Sequence, residues 1–421
     1  VNKLKIARQG LGSLIGLMAN AAFALNLTYS SMSLTQYLDI VKQNNGQISN
    51  ASLDVQTASA NKEAQSLYRF NPSVSYSRGA YQNQTPYAQY NTPASSTYAL
   101  AFNVEGWGKR AARENLAQSQ IEASSVQLEG SSNNVQTTAL GAYIDSLRLA
   151  QMVKSHKDAL SKLSGFKDNP KARDAENFLI RYKAIFEKDL LYASLSMLNY
   201  AGSALQEPPY PTGKLNFPVQ NFNVEDLVLQ GQNNRIEVLN LQAMIDVADK
   251  NVALVTKNRN VDVMPYIGQT RTPQYTYNNG VSYTLPNIGQ TISSSGTTYT
   301  AQNSITAGIT IPIPVNNYLQ TADIVSASNQ KLQYEKQLQD LKTQIRVQVI
   351  QAFLKYEGAR DSLINAQNGY QTALNASNKD SVAGIMNVRD KEGALLDVQT
   401  NHLKALINLW RLSGNYSIPS I

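Results

Sequence analysis

The sequence predicts a mainly α-helical chain with transmembrane β-structure, built twice on one plan, with two long helical hairpins and four strands per chain. Three observations carry this. Tyr98, Leu100, Phe102 and Val104 alternate with Ala99, Ala101, Asn103 and Glu105, the period-two pattern of a sheet with one apolar and one more polar face. The pattern changes at Glu105-Gly106-Trp107-Gly108-Lys109-Arg110, and no proline follows until Pro170. That run predicts one helix of about 50 residues, roughly 75 Å at the α-helical rise. The same order of elements then returns in the second half, an internal duplication with a period of about 200 residues.

Taken in order, Lys3, Lys5 and Arg8, the apolar run Leu11 to Met18 and Ala22-Phe23-Ala24 predict a cleaved export signal over residues 1–24. The apolar run is shorter than the ~20 residues a spanning helix needs. The first repeat covers 25–206. A helix from Ser33 to about Arg69 ends at Asn71-Pro72, and strands at about 73–78 and 97–105 flank a loop from Gly79 to Ser96 rich in Tyr, Gln, Asn and Pro. The long helix breaks near Gly165, and a second helical pattern from Ala175 to about Leu205 returns alongside it, placing the hairpin tip at 166–174. A proline-rich connector, 207–224, separates the halves.

The second repeat, 225–421, begins the order again. Gln43-Asn44-Asn45 reappears as Gln232-Asn233-Asn234, and Gln351-Ala352-Phe353 stands where Gly141-Ala142-Tyr143 stood. Strands are expected at about 264–277 and 303–313, with a loop from Asn278 to Ala301 between them. Helices follow from Asn316 to about Leu374 and from about Val388 to Leu412, with the tip at about 378–390.

Composition removes several functions. Only 16% of residues are charged and none is cysteine, which excludes disulfides, thiolate catalysis and a Cys-based zinc site, and leaves no acceptor for an N-terminal lipid anchor. His156 and His402 lie far apart and are expected on helix surfaces. Gly106-x-Gly108 is too short for a nucleotide loop, and Asp39, Asp54 and Glu63 are not spaced for acid/base work. The reading is therefore a non-enzyme without cofactor or metal. Removing the signal takes three basic residues and leaves only a small positive excess, without a clustered Lys/Arg face, so no nucleic-acid partner is expected. The remaining chain has no apolar run long enough for a spanning helix, so any passage through a bilayer must be as a barrel. Four strands cannot close alone, and open edges aggregate; several copies contributing to one closed sheet are the simplest remedy, which makes the exported protein a conduit.

Several stretches carry a family resemblance: Asn71-Pro72-Ser73-Val74 and Met264-Pro265-Tyr266-Ile267 where strands begin, the turn Gly106 to Ala112, Ile309-Thr310-Ile311-Pro312-Ile313, and Leu406 to Gly414 at the end. In this order they cover nearly the whole mature chain, which resembles the TolC-type outer-membrane channels of efflux pumps and type I secretion systems. The resemblance implies a homotrimer with a twelve-stranded β-barrel in the outer membrane of a Gram-negative bacterium and an α-helical barrel in the periplasm. It implies a periplasmic adaptor and an inner-membrane transporter as partners, and no catalysis. The tips depart from the family's Gly-Leu-type turn, with Pro170 and several charges at the first and Gly384-Ile385 retained at the second, and both hairpins look short. An alternative is a non-conducting trimeric coiled-coil stalk or surface structural protein.

Candidate site residues follow from this placement. Asp380 and Asp390, triplicated around an axis, would form acidic rings at a periplasmic gate, and Arg173 and Arg389 would pair with them. Phe166, Asp168, Asn169, Pro170, Gly384 and Ile385 are the candidate adaptor-contact tips. Tyr76, Tyr81, Tyr98, Phe102, Tyr266, Tyr275 and Tyr277 are candidates for an aromatic girdle at the bilayer interface. Phe353, Leu354 and Leu363 are expected to pack between helices.

Overall fold

Ser33 starts the first helix with a reciprocal cap: its side chain accepts from Gln36 N–H, and the Gln36 carboxamide accepts from Ser33 N–H. The computed structural model describes residues 29–67, 69, 72–80, 94–166, 169–278, 282–284, 291–293, 296–312 and 317–419. The expected export signal, Tyr81 and Asp168 lie outside the described residues. The chain divides into two compact units: one takes the residues through Thr57, Glu122–Met244 and Tyr334 onward, the other Ala58–Ile121 and Ile245–Gln333.

The first unit is helical. The single helix expected over Ser33 to Arg69 is two, α1 (Leu34–Asn44) and α2 (Gly46–Ser66). Asn45 between them is extended, at φ −73° and ψ 128°, because its amide donates to Tyr200 O at 3.0 Å while its side-chain oxygen accepts from Gln47 N–H at 2.9 Å. The second half repeats the break. Arg235, at φ −65° and ψ 135°, separates α5 (Val224–Asn234) from α6 (Ile236–Lys257), and its guanidinium forks onto Glu237 at 2.9 and 3.1 Å. Each Gln-Asn-Asn motif therefore falls at the end of an 11-residue helix.

The hairpins are α3 (Lys109–Leu163) with α4 (Pro170–Ala201), and α7 (Asn317–Asn375) with α8 (Val382–Leu412). Around α3 the core holds Leu34, Tyr37, Leu38, Val41, Leu140, Ile144 and Leu147; around α7 it holds Leu227, Val238, Ile345, Val349, Leu406 and Leu409. Each long helix also sends one buried tyrosine onto the connector. Tyr143 donates to Thr212 O at 2.6 Å and accepts from Thr212 N–H at 3.1 Å; Tyr356 does the same with Gln220, at 2.7 and 3.0 Å. The backbone groups of an otherwise irregular segment are thereby satisfied. Within the connector β4 (Pro209–Pro211) runs parallel to β1 (Ser30–Met32). Of the residues expected to pack between helices, Leu363 is buried and Phe353 is packed, whereas Leu354 is 64% exposed.

The second unit holds an antiparallel sheet of β2 (Pro72–Ala80), β3 (Ala94–Phe102), β5 (Met264–Asn278) and β8 (Gly296–Thr310), in that order. The strand expected at 97–105 starts and ends earlier, and Val104 survives only as an isolated bridge to Val263. Much of the loop expected from Asn278 to Ala301 is strand: β8 begins at Gly296, and β6 (Ser282–Thr284) pairs with β7 (Thr291–Ser293). Thr and Tyr favour extended pairing even in a segment otherwise rich in Ser, Gly and Asn, and here pairing wins. Among the described residues no helix is long and apolar enough to cross a membrane.

Candidate functional site

Register turns the alternation seen in the sequence into two chemically distinct faces. Val74, Leu100, Ile267 and Ala307 form one cross-strand row, and Tyr76, Tyr98, Gln269 and Ile305 the next. Tyr76 and Tyr98 face each other with ring centroids 4.9 Å apart, and Pro265 pairs with Ile309 on the same face. This face is open: Val74 is 79% exposed and Ile305 76%. Burying such side chains is worth about 1.5–3 kcal/mol each, so a face carrying this many is built for an apolar surrounding.

The opposite face is small and uncharged. Its rows read Ser75, Ala99, Gly268, Thr306 and Ser77, Thr97, Thr270, Ser304, with Thr97 and Thr270 hydroxyls 3.2 Å apart. Tyr266 lies on this face, opposite to Tyr76 and Tyr98. It pairs with Ala101 and Gly308, and its ring covers Gly308 so closely that a Cβ there would come within 2.7 Å of the hydroxyl. Phe102 takes the parity of Leu100, and Tyr275 pairs with Tyr299 in the register. Both outer strands, β2 and β8, have one unpaired edge in this sheet. Because the four strands alternate in direction, joining β8 of one copy to β2 of another would be an antiparallel pairing.

Below the sheet the turn from β3 into α3 is clamped. Val104 and Val263 exchange backbone bonds of 2.8 and 2.9 Å. Gly106 approaches the neighbouring segment so closely that a Cβ would meet Val261 O at 2.8 Å, and Gly108 has φ of 81°. Asp262 accepts from Gly106 N–H at 2.7 Å and from Lys109 Nζ at 2.8 Å. Burial pushes its carboxyl up, but these hydrogen bonds outweigh it and hold the carboxyl below its ordinary range. Arg113 pairs with Glu105 in near-complete burial and donates to Leu67 O at 3.3 Å. Asn260 holds the Trp107 carbonyl, leaving the indole 93% exposed.

The hairpin ends differ from expectation. Asn169 caps α4, accepting from Lys171 N–H at 3.0 Å, with Pro170 in the first turn. The helix expected from Ala175 thus starts earlier. The tip expected over 378–390 is also shorter, since Ser381 accepts from Gly384 N–H at 3.0 Å and α8 starts at Val382 rather than Val388. Gly384, Ile385, Arg389 and Asp390 consequently lie on a helix. Gly384 is buried against the turn, where a Cβ would fall 1.9 Å from Asn378 O. Ile385 is buried with Leu163 and Leu179, and Phe166 packs on this cluster. Arg389 pairs with Asp390 at 2.8 Å and lies 5.6 Å from the centre of the Phe178 ring. Arg173 and Asp380 are exposed and form no ion pair among the described residues. The structure thus brings Phe166 and Ile385 together, and Arg389 with Asp390, but not Arg173 with either carboxylate.

Both histidines are core residues, contrary to the surface expectation. His156 donates from Nδ1 to Met152 O at 2.8 Å, which leaves Nε2 to accept from Arg389 at 3.4 Å. His402 lies 5.3 Å from the Tyr356 ring. They occupy the inward stripes of α3 and α8, a placement that polar residue type conceals. Burial lowers the pKa of each. Among the described residues no group of three or more His, Asp or Glu side chains is placed to hold a metal.

Sequence reasoning missed Asp262, Trp107 as an exposed aromatic, and the two arginines of the apolar face, Arg78 and Arg271. Strict parity counting from Tyr76 and Ile267 would have placed both arginines on that face.

No family model matches the sequence, and no curated protein matches it. Solved structures do match the fold. The outer membrane protein VceC from Vibrio cholerae is 13% identical, with 91% of this chain and 97% of that one covered and a TM-score of 0.57. A membrane protein from Pseudomonas aeruginosa is 14% identical, with 90% and 93% covered and a TM-score of 0.61. The CmeC outer membrane channel from Campylobacter jejuni is 14% identical, with 92% and 87% covered and a TM-score of 0.57.

Proposed function

From the fold the chain shares with TolC-type outer-membrane channels, we propose that it is one subunit of a homotrimeric export channel. Three copies place twelve strands in one outer-membrane barrel. The helical hairpins continue as a tunnel into the periplasm, where an adaptor and an energised inner-membrane transporter deliver small molecules or proteins. The single observation that carries this is the sheet: an exposed apolar face, a small uncharged polar face, and two open edges whose union between copies is antiparallel. Lipid satisfies the first face, water in a lumen the second, and neighbouring copies the edges. A coiled-coil stalk would leave the apolar face in water, which counts against that alternative.

Under this reading Asp380 and Arg173, both exposed at the hairpin ends, serve the entrance, and Asn169 and Pro170 form the adaptor-facing surface. Gly384 and Ile385 support it from behind. Phe102, Tyr76 and Tyr98 belong to the lipid-facing surface. The test is direct. Detergent-purified protein should migrate as an unboiled trimer and give stepwise ion conductance in planar bilayers. A trimer that stays soluble without detergent and never conducts refutes the channel.

A further inference from the structure

The four strands of the sheet carry two charged residues, Arg78 and Arg271. Both are arginine, both are exposed, and both lie on the apolar face. They also share one cross-strand row, which reads Arg78, Ser96, Arg271, Asn303. Neither guanidinium has an ion-pair or hydrogen-bond partner among the described residues. Two strand spacings separate their backbones, about 10 Å, so two extended guanidinium groups can converge on one tetrahedral anion between them, with Ser96 and Asn303 adding hydroxyl and amide groups.

The row also falls at a particular height. The apolar face starts where Val104 meets Val263, next to the exposed indole of Trp107, an aromatic of the kind that marks a membrane–water interface. From Val263 to Arg271 the strand climbs about 26 Å along its axis at the β-strand rise, or about 20 Å vertically at the usual barrel tilt. Arginine side chains reaching about 5 Å further end at about 25 Å, the height of an outer-membrane apolar band. A cation is costly at the centre of such a band and tolerated at its edge, and the arginine row stands where tolerance returns. Beyond it β5 and β8 continue to Asn278 and Gly296, past the apolar band.

We infer that Arg78 and Arg271 form an anion-binding row that grips the phosphate groups of outer-leaflet lipid and fixes the barrel's depth in the bilayer. In a trimer the row supplies six guanidinium groups at one level. This rests on the channel reading, and the experiment separates the two. Native mass spectrometry of the detergent-purified trimer would measure binding of lipid A, a bisphosphorylated glucosamine lipid, and of phosphatidylcholine, for the wild type and for R78Q/R271Q, with conductance recorded on the same samples. The variant should lose at least tenfold in lipid A affinity, with phosphatidylcholine binding unchanged and conductance retained. Wild-type lipid A binding should also weaken as sodium chloride rises from 50 to 500 mM, a measure that stands even if the variant fails to assemble. Equal lipid A affinity in variant and wild type, insensitivity to salt, or equally tight binding of the deacylated sugar phosphate overturns the lipid-gripping row alone. A wild type that neither trimerises nor conducts overturns the channel and the row together.

Discussion

At the scale of single residues, the molecule places polar side chains where they are expensive and then satisfies them locally. Tyr143 and Tyr356 are 0% exposed, and each meets both backbone groups of one connector residue. Removing the Tyr356 hydroxyl would leave the half-buried Gln220 N–H and C=O without this partner, at the lower end of about 1–3 kcal/mol, whereas Thr212 is exposed and its N–H keeps Met32 O at 3.1 Å. The histidines are different, because burial opposes their charge. Both His156 and His402 have pKa values lowered from the ordinary 6.5, with desolvation the first cause. A histidine held neutral by the fold binds a proton more readily once unfolded. Its contribution is therefore complete above the unfolded pKa and is lost as pH falls from about 6.5 toward the lower folded value. Thermal melts of the wild type should lose stability between pH 7 and 5, and H156L/H402L should flatten that slope. An unchanged slope would show that the two imidazoles do not govern it. His402 Nε2, buried without a hydrogen-bond partner, makes the leucine replacement the milder at that position.

At the scale of elements, the junction from β3 to α3 decides how a strand becomes a helix. Asp262 joins the Gly106 amide to the Lys109 ammonium, and Arg113 with Glu105 closes the far side. D262A would leave Gly106 N–H unpaired and release Lys109 from its partner. The expected result is a loss of about 1–3 kcal/mol, and hydrogen exchange at 104–110 should rise while β5 and β8 stay protected. Protection that is unchanged at the turn would place the restraint elsewhere. The long helices and alternating strands were legible because their periodicities are physical consequences of 3.6-residue and two-residue repeats. Element ends were less so. Ser381 is one serine among many, and only its hydrogen bond with Gly384 shows that α8 begins there. The break at Asn45 depends on Tyr200, 155 residues away. Arg78 and Arg271 became a row only through register, because no local pattern pairs residues on different strands.

At the scale of the whole molecule, the channel reading requires the two faces of the sheet to meet different media, and adjacent residues of one strand can test that. Thr306 and Ala307 are neighbours on β8, both exposed. Thr306 pairs with Gly268 on the polar face, and Ala307 with Ile267 in the apolar row of Val74 and Leu100. Ala307→Lys would put three cations per trimer against hydrocarbon, at about 2–4 kcal/mol each near the midplane, and should reduce membrane insertion more than tenfold. Thr306→Lys, one residue away, would put the same three charges into a water-filled lumen. It should assemble and insert normally while shifting reversal potentials toward anion selectivity under a salt gradient. Lysine is equally bulky and equally damaging to β-propensity at both positions, so a merely structural sheet would suffer alike from the two substitutions. Equal behaviour would therefore remove the case for a lipid-facing and a lumen-facing side. Divergence of insertion from selectivity would assign each face its medium from a single pair of neighbouring residues.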